Sequence, residues 1–149
     1  MWLTRVGSHG FIWLAIGLAL AIVWRRTSPF VLVLLAVAAA DGIASIVKAA
    51  VGEQRPTHTD PLVAIPRSDS FPSGHAATAF AGATVLARLE PRAAPAFYLL
   101  ALAIAYSRLY VGVHFPLDVV GGAAIGIATA LLLLATARHR SVRWPRRAR

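Results

Sequence analysis

Five apolar stretches of 14 to 22 residues decide what this 149-residue chain can fold into. They cover residues 6–24, 30–51, 76–89, 93–106 and 119–137. A bilayer hydrocarbon core takes about 20 helical residues, so the first, second and fifth predict comfortable spans. The third and fourth, 14 residues each, either extend through their flanking motifs or belong to a part recessed below the membrane surface. None alternates as a barrel strand must, and lipid leaves helices as the way to satisfy the backbone. The expected fold is all-α: a polytopic transmembrane helix bundle of about five spans, one domain over residues 1–149. Composition agrees, with 58% hydrophobic and 14% charged residues, against roughly 45–50% and ~25% in soluble domains. That balance excludes a disordered chain. The absence of cysteine excludes a disulfide framework, a thiolate nucleophile and a cysteine-based zinc site.

The formal net charge is +9, from 15 Lys+Arg against 6 Asp+Glu. Such basicity suits nucleic acid, but the positions argue for lipid. Arg138, Arg140, Arg143, Arg146, Arg147 and Arg149 crowd the last twelve residues, directly after an apolar run. A basic tail over 138–149 is expected to lie against anionic headgroups; no nucleic-acid partner is expected. Connections after the first, third and fifth runs hold Arg25, Arg26, Arg88, Arg92 and that tail. The opposite side holds Arg5, Lys48, Arg55, Arg67 and Arg108. The positive-inside rule predicts a cytoplasmic C-terminus and an outside N-terminus. Size and Arg/Ala-rich usage lean to a multi-pass protein of a bacterial cytoplasmic (inner) membrane. Ala19-Leu20-Ala21 resembles a cleavage site, yet the run continues into Arg25 and Arg26, which favours an uncleaved span.

The one long connection, residues 52–72, contains Pro56, Pro61, Pro66 and Pro72. It cannot be a continuous helix and reads as an irregular outer loop. Gly122 and Gly126 form a GxxxG extended by Ala130, a pattern of close helix packing that also offers a candidate homodimer face.

Three polar clusters sit at the outer ends of spans two, three and five, so all three converge on one side. Ionisable residues at the membrane edge are functional candidates by default. In the first, Lys48 is the sole lysine among fourteen arginines. If helix persists to Arg55, the two cations lie about 10.5 Å apart on one face. They suit a phosphate, Arg as a bidentate fork and Lys as a point charge; snorkelling of Lys48 is the plain alternative. The second cluster is Ser70-Phe71-Pro72-Ser73-Gly74-His75-Ala76-Ala77. Ser73 is a natural N-cap, Gly74 admits a close ligand, and the free N–H groups of a first turn bind anions. His75 would stand beside that anion as a proton donor. The third cluster runs from Ser107 and Arg108 to His114 and Asp118. Asp118, four residues after His114, is placed to take the imidazole N–H, which prepares the other ring nitrogen as base, nucleophile or ligand. Each cluster has a structural reading alone; their convergence does not.

The three motifs together resemble the type 2 phosphatidic acid phosphatase family, the lipid-phosphate phosphatases that share a phosphate site with vanadium haloperoxidases. That signature is K-x6-R-P, P-S-G-H and S-R-x5-H-x3-D. The chain carries Lys48…Arg55-Pro56, Pro72-Ser73-Gly74-His75 and Ser107-Arg108…His114…Asp118, within residues 41–126. The resemblance implies that Lys48, Arg55, Arg108, Ser73 and the Gly74 backbone bind phosphate. It implies that His114 attacks phosphorus, oriented by Asp118, and that His75 protonates the leaving oxygen. It implies no cofactor and no metal; a His/His/Asp metal site is the competing reading. Many bacterial members have six spans, so this core would lack the first helix, or residues 1–10 would lie along the interface. The implied activity is hydrolysis of a lipid phosphate or diphosphate, with an outward-facing site. Candidate substrates are a polyprenyl (undecaprenyl-type) diphosphate, which is favoured, phosphatidate or phosphatidylglycerophosphate. The alternatives are a lipid phosphotransferase and a non-catalytic lipid-phosphate binder or transporter. Asp41, one helical face with Ser45 and Lys48, matches no signature position and is expected to be structural or to reach toward the site.

Overall fold

The computed structural model describes residues 10–56 and 68–139. Arg5, Pro61, Pro66, Arg67 and residues 140–149 of the basic tail lie outside the described residues. Among the described residues five α-helices follow in order: α1 Phe11–Val23, α2 Ser28–Val51, α3 Gly74–Leu89, α4 Ala94–Tyr110 and α5 Pro116–His139. A short 3₁₀ turn, Pro91–Ala93, leads into α4. The described residues contain no strand, so the all-α expectation holds.

Among the described residues three segments are long and apolar enough to cross a bilayer: Ser28–Val51, Pro91–Tyr110 and Pro116–Ala137. The fourth apolar run gains its length by extending through Ser107 and Arg108 to Tyr110. The described part of α1 has 13 residues, shorter than the span expected over 6–24. Proline opens α2 and α5, where its missing N–H costs nothing. Large apolar side chains on the rim, among them Ile22, Ile46, Leu99, Leu117 and Leu132, are fully or mostly exposed. In a membrane protein that rim faces acyl chains.

The axis of the bundle is α3. Its residues from Ala76 to Leu86 are all buried, and it touches each of the other four helices. Alanine and glycine make this possible, because small side chains let neighbouring backbones approach closely. A Cβ on Gly126 would stand 2.2 Å from the Ala77 carbonyl oxygen, and one on Gly122 would stand 2.3 Å from that of Ser73. Gly82 is matched to the indole of Trp13, which would lie 2.4 Å from an added Cβ. The Gly122/Gly126 face is thus used inside the chain, against α3.

Candidate active site

The condition of a helix persisting to Arg55 is not met. Gly52 takes a left-handed conformation (φ 65°) and closes α2, its N–H bonding to the Lys48 carbonyl at 3.1 Å. Left-handed backbone is where glycine is favoured. The turn sends Arg55 away from the helix axis and across to the third motif. There Nη1 donates to the Val113 carbonyl (2.7 Å) and lies 3.4 Å from His114 Nε2. The other side of the guanidinium holds residues 68–69: Nε to Ser68 O (2.8 Å), Nη2 to Ser68 Oγ and Asp69 O (both 3.2 Å).

Residues 68–73 form a strap across one end of the bundle. Lys48 Nζ reaches up from α2 and donates to three strap carbonyls, Asp69 (2.7 Å), Ser70 (3.0 Å) and Pro72 (2.9 Å). The Ser70 N–H pairs with Glu53 O at 2.6 Å. Behind the strap, Phe71 fills the notch left by Gly121, its ring 2.5 Å from where a Cβ would be.

The strap leads straight into α3. Ser73 occupies the N-cap position, as expected, but its hydroxyl makes no capping bond. Instead Ser73 Oγ is buried with no hydrogen-bond partner, while the Ser73 N–H donates to the backbone oxygen of Asp118 at 2.9 Å. Buried polar atoms are normally paired, so this hydroxyl stands ready for a ligand. His75 is half-buried in the same first turn. Asp41 Oδ1 comes within 3.6 Å of the position a Gly74 Cβ would take, which sets this mid-span carboxylate at the foot of α3.

His114 and Asp118 are both buried. Pro116 starts α5, and Asp118 falls in its first turn. Its Oδ2 accepts three hydrogen bonds, from His114 Nδ1 (3.0 Å), the Phe115 N–H (2.8 Å) and Ser70 Oγ (2.5 Å). An ionised carboxylate only accepts. The imidazole proton therefore sits on Nδ1, and the Nε2 lone pair faces Arg55. Burial, with Arg55 and Lys48 adding repulsion, pushes the His114 pKa down to about 4 against the opposing pull of Asp118. At neutral pH the ring is uncharged and Nε2 is free to attack.

Arg108 closes the set from the last turn of α4. It is buried, and its Nε and Nη2 both fall on Ser107 Oγ (3.1 and 3.0 Å). It meets no carboxylate among the described residues. A buried guanidinium without a counter-charge is costly, so the site is built to receive an anion. The competing metal reading needed three ligating side chains together, and no such group of His, Asp or Glu occurs among the described residues.

The model of the PAP2 superfamily matches residues 29–141. The chain belongs to the PAP2 superfamily. Its matched segment contains all three motifs, and the resemblance read from them is borne out. The decaprenylphosphoryl-5-phosphoribose phosphatase of Mycolicibacterium smegmatis is 37% identical over 123 residues, 80% of this chain and 67% of that protein. A lipid A 1-phosphatase of Rhizobium johnstonii is 36% identical, but over only 60% of this chain and 40% of its own length. Among solved structures, the transmembrane PAP2 type phosphatidylglycerolphosphate phosphatase of Bacillus subtilis superposes with a TM-score of 0.72 at 25% identity, covering 95% of this chain and 76% of that one. Aquifex aeolicus LpxE gives 0.71 at 31%, covering 90% and 84%. This PAP2 chain is an enzyme, a phosphatase with apolar helices able to span a membrane.

Ser70 opens the second cluster, but sequence reasoning gave it no role. It precedes the P-S-G-H motif by two positions and carries no titratable group, so nothing in its type singled it out. A short hydroxyl beside a buried carboxylate was its only signal, and that pairing spans 48 residues of sequence.

Proposed function

We propose that this PAP2 phosphatase hydrolyses the phosphate headgroup of a polyprenyl-type lipid through a phosphohistidine on His114. The observation that carries the reading is the pose of His114, with Nδ1 held by Asp118 and Nε2 facing the Arg55 guanidinium. Binding alone needs cations; it does not need an oriented, uncharged imidazole. Phosphoryl transfer asks mostly for positioning and for positive charge around the equatorial oxygens. With phosphorus bonded to Nε2, a phosphoryl oxygen would accept from the Arg55 Nη1 that now approaches that nitrogen at 3.4 Å. Arg108, Ser73 Oγ and the Gly74 N–H would hold the remaining oxygens, with Lys48 adding charge. His75 would protonate the leaving lipid oxygen, and water would then hydrolyse the phosphoenzyme without a metal.

The membrane supports the substrate class. The motifs gather at one end of an apolar bundle, where a lipid headgroup would arrive while its tail stays in the bilayer. Relatives named for polyprenyl-linked substrates, including an undecaprenyl-diphosphatase of Sulfolobus acidocaldarius (30% identical over 85% of this chain and 63% of that protein), favour a polyprenyl carrier over phosphatidate. Arginine placement favours this end on the outer face and the C-terminus in the cytoplasm, and Arg/Ala-rich usage favours a bacterial inner membrane.

Phosphate release from a panel of polyprenyl phosphates and diphosphates, phosphatidate and phosphatidylglycerophosphate, with EDTA present, tests the reading. Turnover that survives EDTA and falls by about 10⁴-fold in His114→Ala is expected. Near-normal turnover by His114→Ala contradicts the nucleophile. Loss in EDTA restored by a divalent cation contradicts the metal-free route. Label appearing only on a second lipid would make the enzyme a transferase.

A further inference from the structure

We propose that Ser70 is a positioning residue that shares the charge of the Asp118 carboxylate and so keeps the His114 ring weakly basic, able both to attack phosphorus and to leave it. The proposal rests on the phosphohistidine reading above and adds a residue to which that reading gives no part. Ser70 and Asp118 are both fully buried. The serine hydroxyl donates to Asp118 Oδ2 at 2.5 Å, the shortest of the three bonds that this oxygen accepts. The others come from His114 Nδ1 (3.0 Å) and the Phe115 N–H (2.8 Å). Oδ1 is buried with no hydrogen-bond partner among the described residues. The hydrogen bonding of the carboxylate therefore falls on one oxygen, where the imidazole competes with a hydroxyl.

That competition sets basicity. A donor on an ionised carboxylate stabilises its charge, so each donor on Oδ2 weakens the pull that Asp118 exerts on the His114 proton. Burial lowers the His114 pKa, the Asp118 hydrogen bond raises it, and Arg55 lowers it again. The charged groups facing the ring are Asp118 on α5, Arg55 beyond the end of α2 and Lys48 within it. α3 and α4 bring His75 and Arg108 to the same end, and Asp69 of the strap acts on Lys48 and Arg55. A change at Ser70 alters none of these groups. The Phe115 donor belongs to the main chain. Ser70 thus supplies the one side-chain donor on Oδ2 besides His114 itself.

A weakly basic ring suits both halves of the reaction. In the first, the Nε2 lone pair forms the N–P bond, the bond from phosphorus to the lipid oxygen breaks, and His75 gives that oxygen a proton. In the second, a water oxygen bonds to phosphorus, its proton passes to His75, and the N–P pair returns to Nε2. A more basic nitrogen leaves phosphorus more slowly. Without the serine hydroxyl, Asp118 would pull harder on the ring and delay hydrolysis of the phosphohistidine. The other hydrogen bonds of Ser70 are main chain: its N–H to Glu53 O at 2.6 Å and its carbonyl from Lys48 Nζ at 3.0 Å. Ser70→Ala therefore removes the hydroxyl alone.

The test uses the full chain in detergent, as wild type and Ser70→Ala, with a polyprenyl phosphate carrying labelled phosphorus as substrate. In Ser70→Ala the acid limb of kcat/KM is expected to move up by about one pH unit. The phosphoenzyme, chased with unlabelled substrate, is expected to decay about threefold more slowly or slower still. An acid limb that stays or falls would overturn the proposal, and so would unchanged or faster decay. A serine that only supports the fold would lower activity without moving the limb. Should Ser70→Ala not fold, Ser70→Cys decides, because a thiol is a weak donor of similar size: an upward shift of the limb supports the proposal and no shift overturns it. Nitrogen NMR titration of the His114 ring reads the same shift without turnover. Failure of the phosphatase reading would show separately, as turnover retained in His114→Ala.

Discussion

At the scale of single residues, the site works by allotting hydrogen bonds. Asp118 Oδ2 gathers three donors, His114 is held by one nitrogen, and the buried Ser73 hydroxyl has no partner. The depressed His114 pKa gives this allotment a measurable consequence. The ring must be neutral to attack, so the acid limb of the kcat/KM profile should fall near pH 4, well below the ordinary 6.5 of histidine. A limb near 6.5 would contradict the buried pose. Stability follows the same linkage. The unfolded chain takes up this proton near pH 6.5 and the folded chain only near pH 4, so the contribution is complete above 6.5 and is lost as pH falls to about 4. The loss is of order 3 kcal/mol, read as a lower melting temperature in detergent across that window. Replacing Asp118 by Asn should cut kcat by about a hundredfold or more, because the amide no longer fixes the tautomer. Most of this was legible beforehand: the spacing of His114 and Asp118 gave their pairing. Ser70 was not legible, since only folding brings it to Asp118.

At the scale of elements, small residues decide where the helices stand. Gly122 and Gly126 bring α5 onto α3 so closely that the Asp118 backbone accepts from the Ser73 N–H. That contact joins the second motif to the third. A Gly126→Ala change puts a methyl group 2.2 Å from the Ala77 oxygen, and overpacking of this kind costs about 1–3 kcal/mol. The expected outcome is a lower thermal midpoint together with reduced kcat, because α5 carries Asp118 and α3 carries Gly74. A variant with both values unchanged would show that the interface is not tight. The sequence offered the GxxxG pattern but not its destination, as the pattern reads alike within a chain and between chains. The apolar run to residue 51 marks the end of α2, and Lys48 and Arg55 would share one helical face only if helix persisted to Arg55; Gly52 stops the helix and aims Arg55 at His114.

At the scale of the whole molecule, an apolar bundle presents its polar motifs at one end, in a chain that matches the PAP2 superfamily over residues 29–141. Apolar run lengths gave the helical class and the number of helices. They could not give the lengths of α1 and α4, which depend on where motif residues join the helix. Nor could they show that α3 is enclosed by the other four helices, since its alanines and glycines are only modestly hydrophobic. The account depends on a covalent step at His114. The most direct measurement is rapid quenching of the enzyme with substrate carrying labelled phosphorus in its headgroup, followed by peptide mapping. Label bound to His114, labile in acid, stable in base and absent from His114→Ala, is the predicted result. Full turnover with no label on His114 at any quench time, or label on another residue, would contradict it.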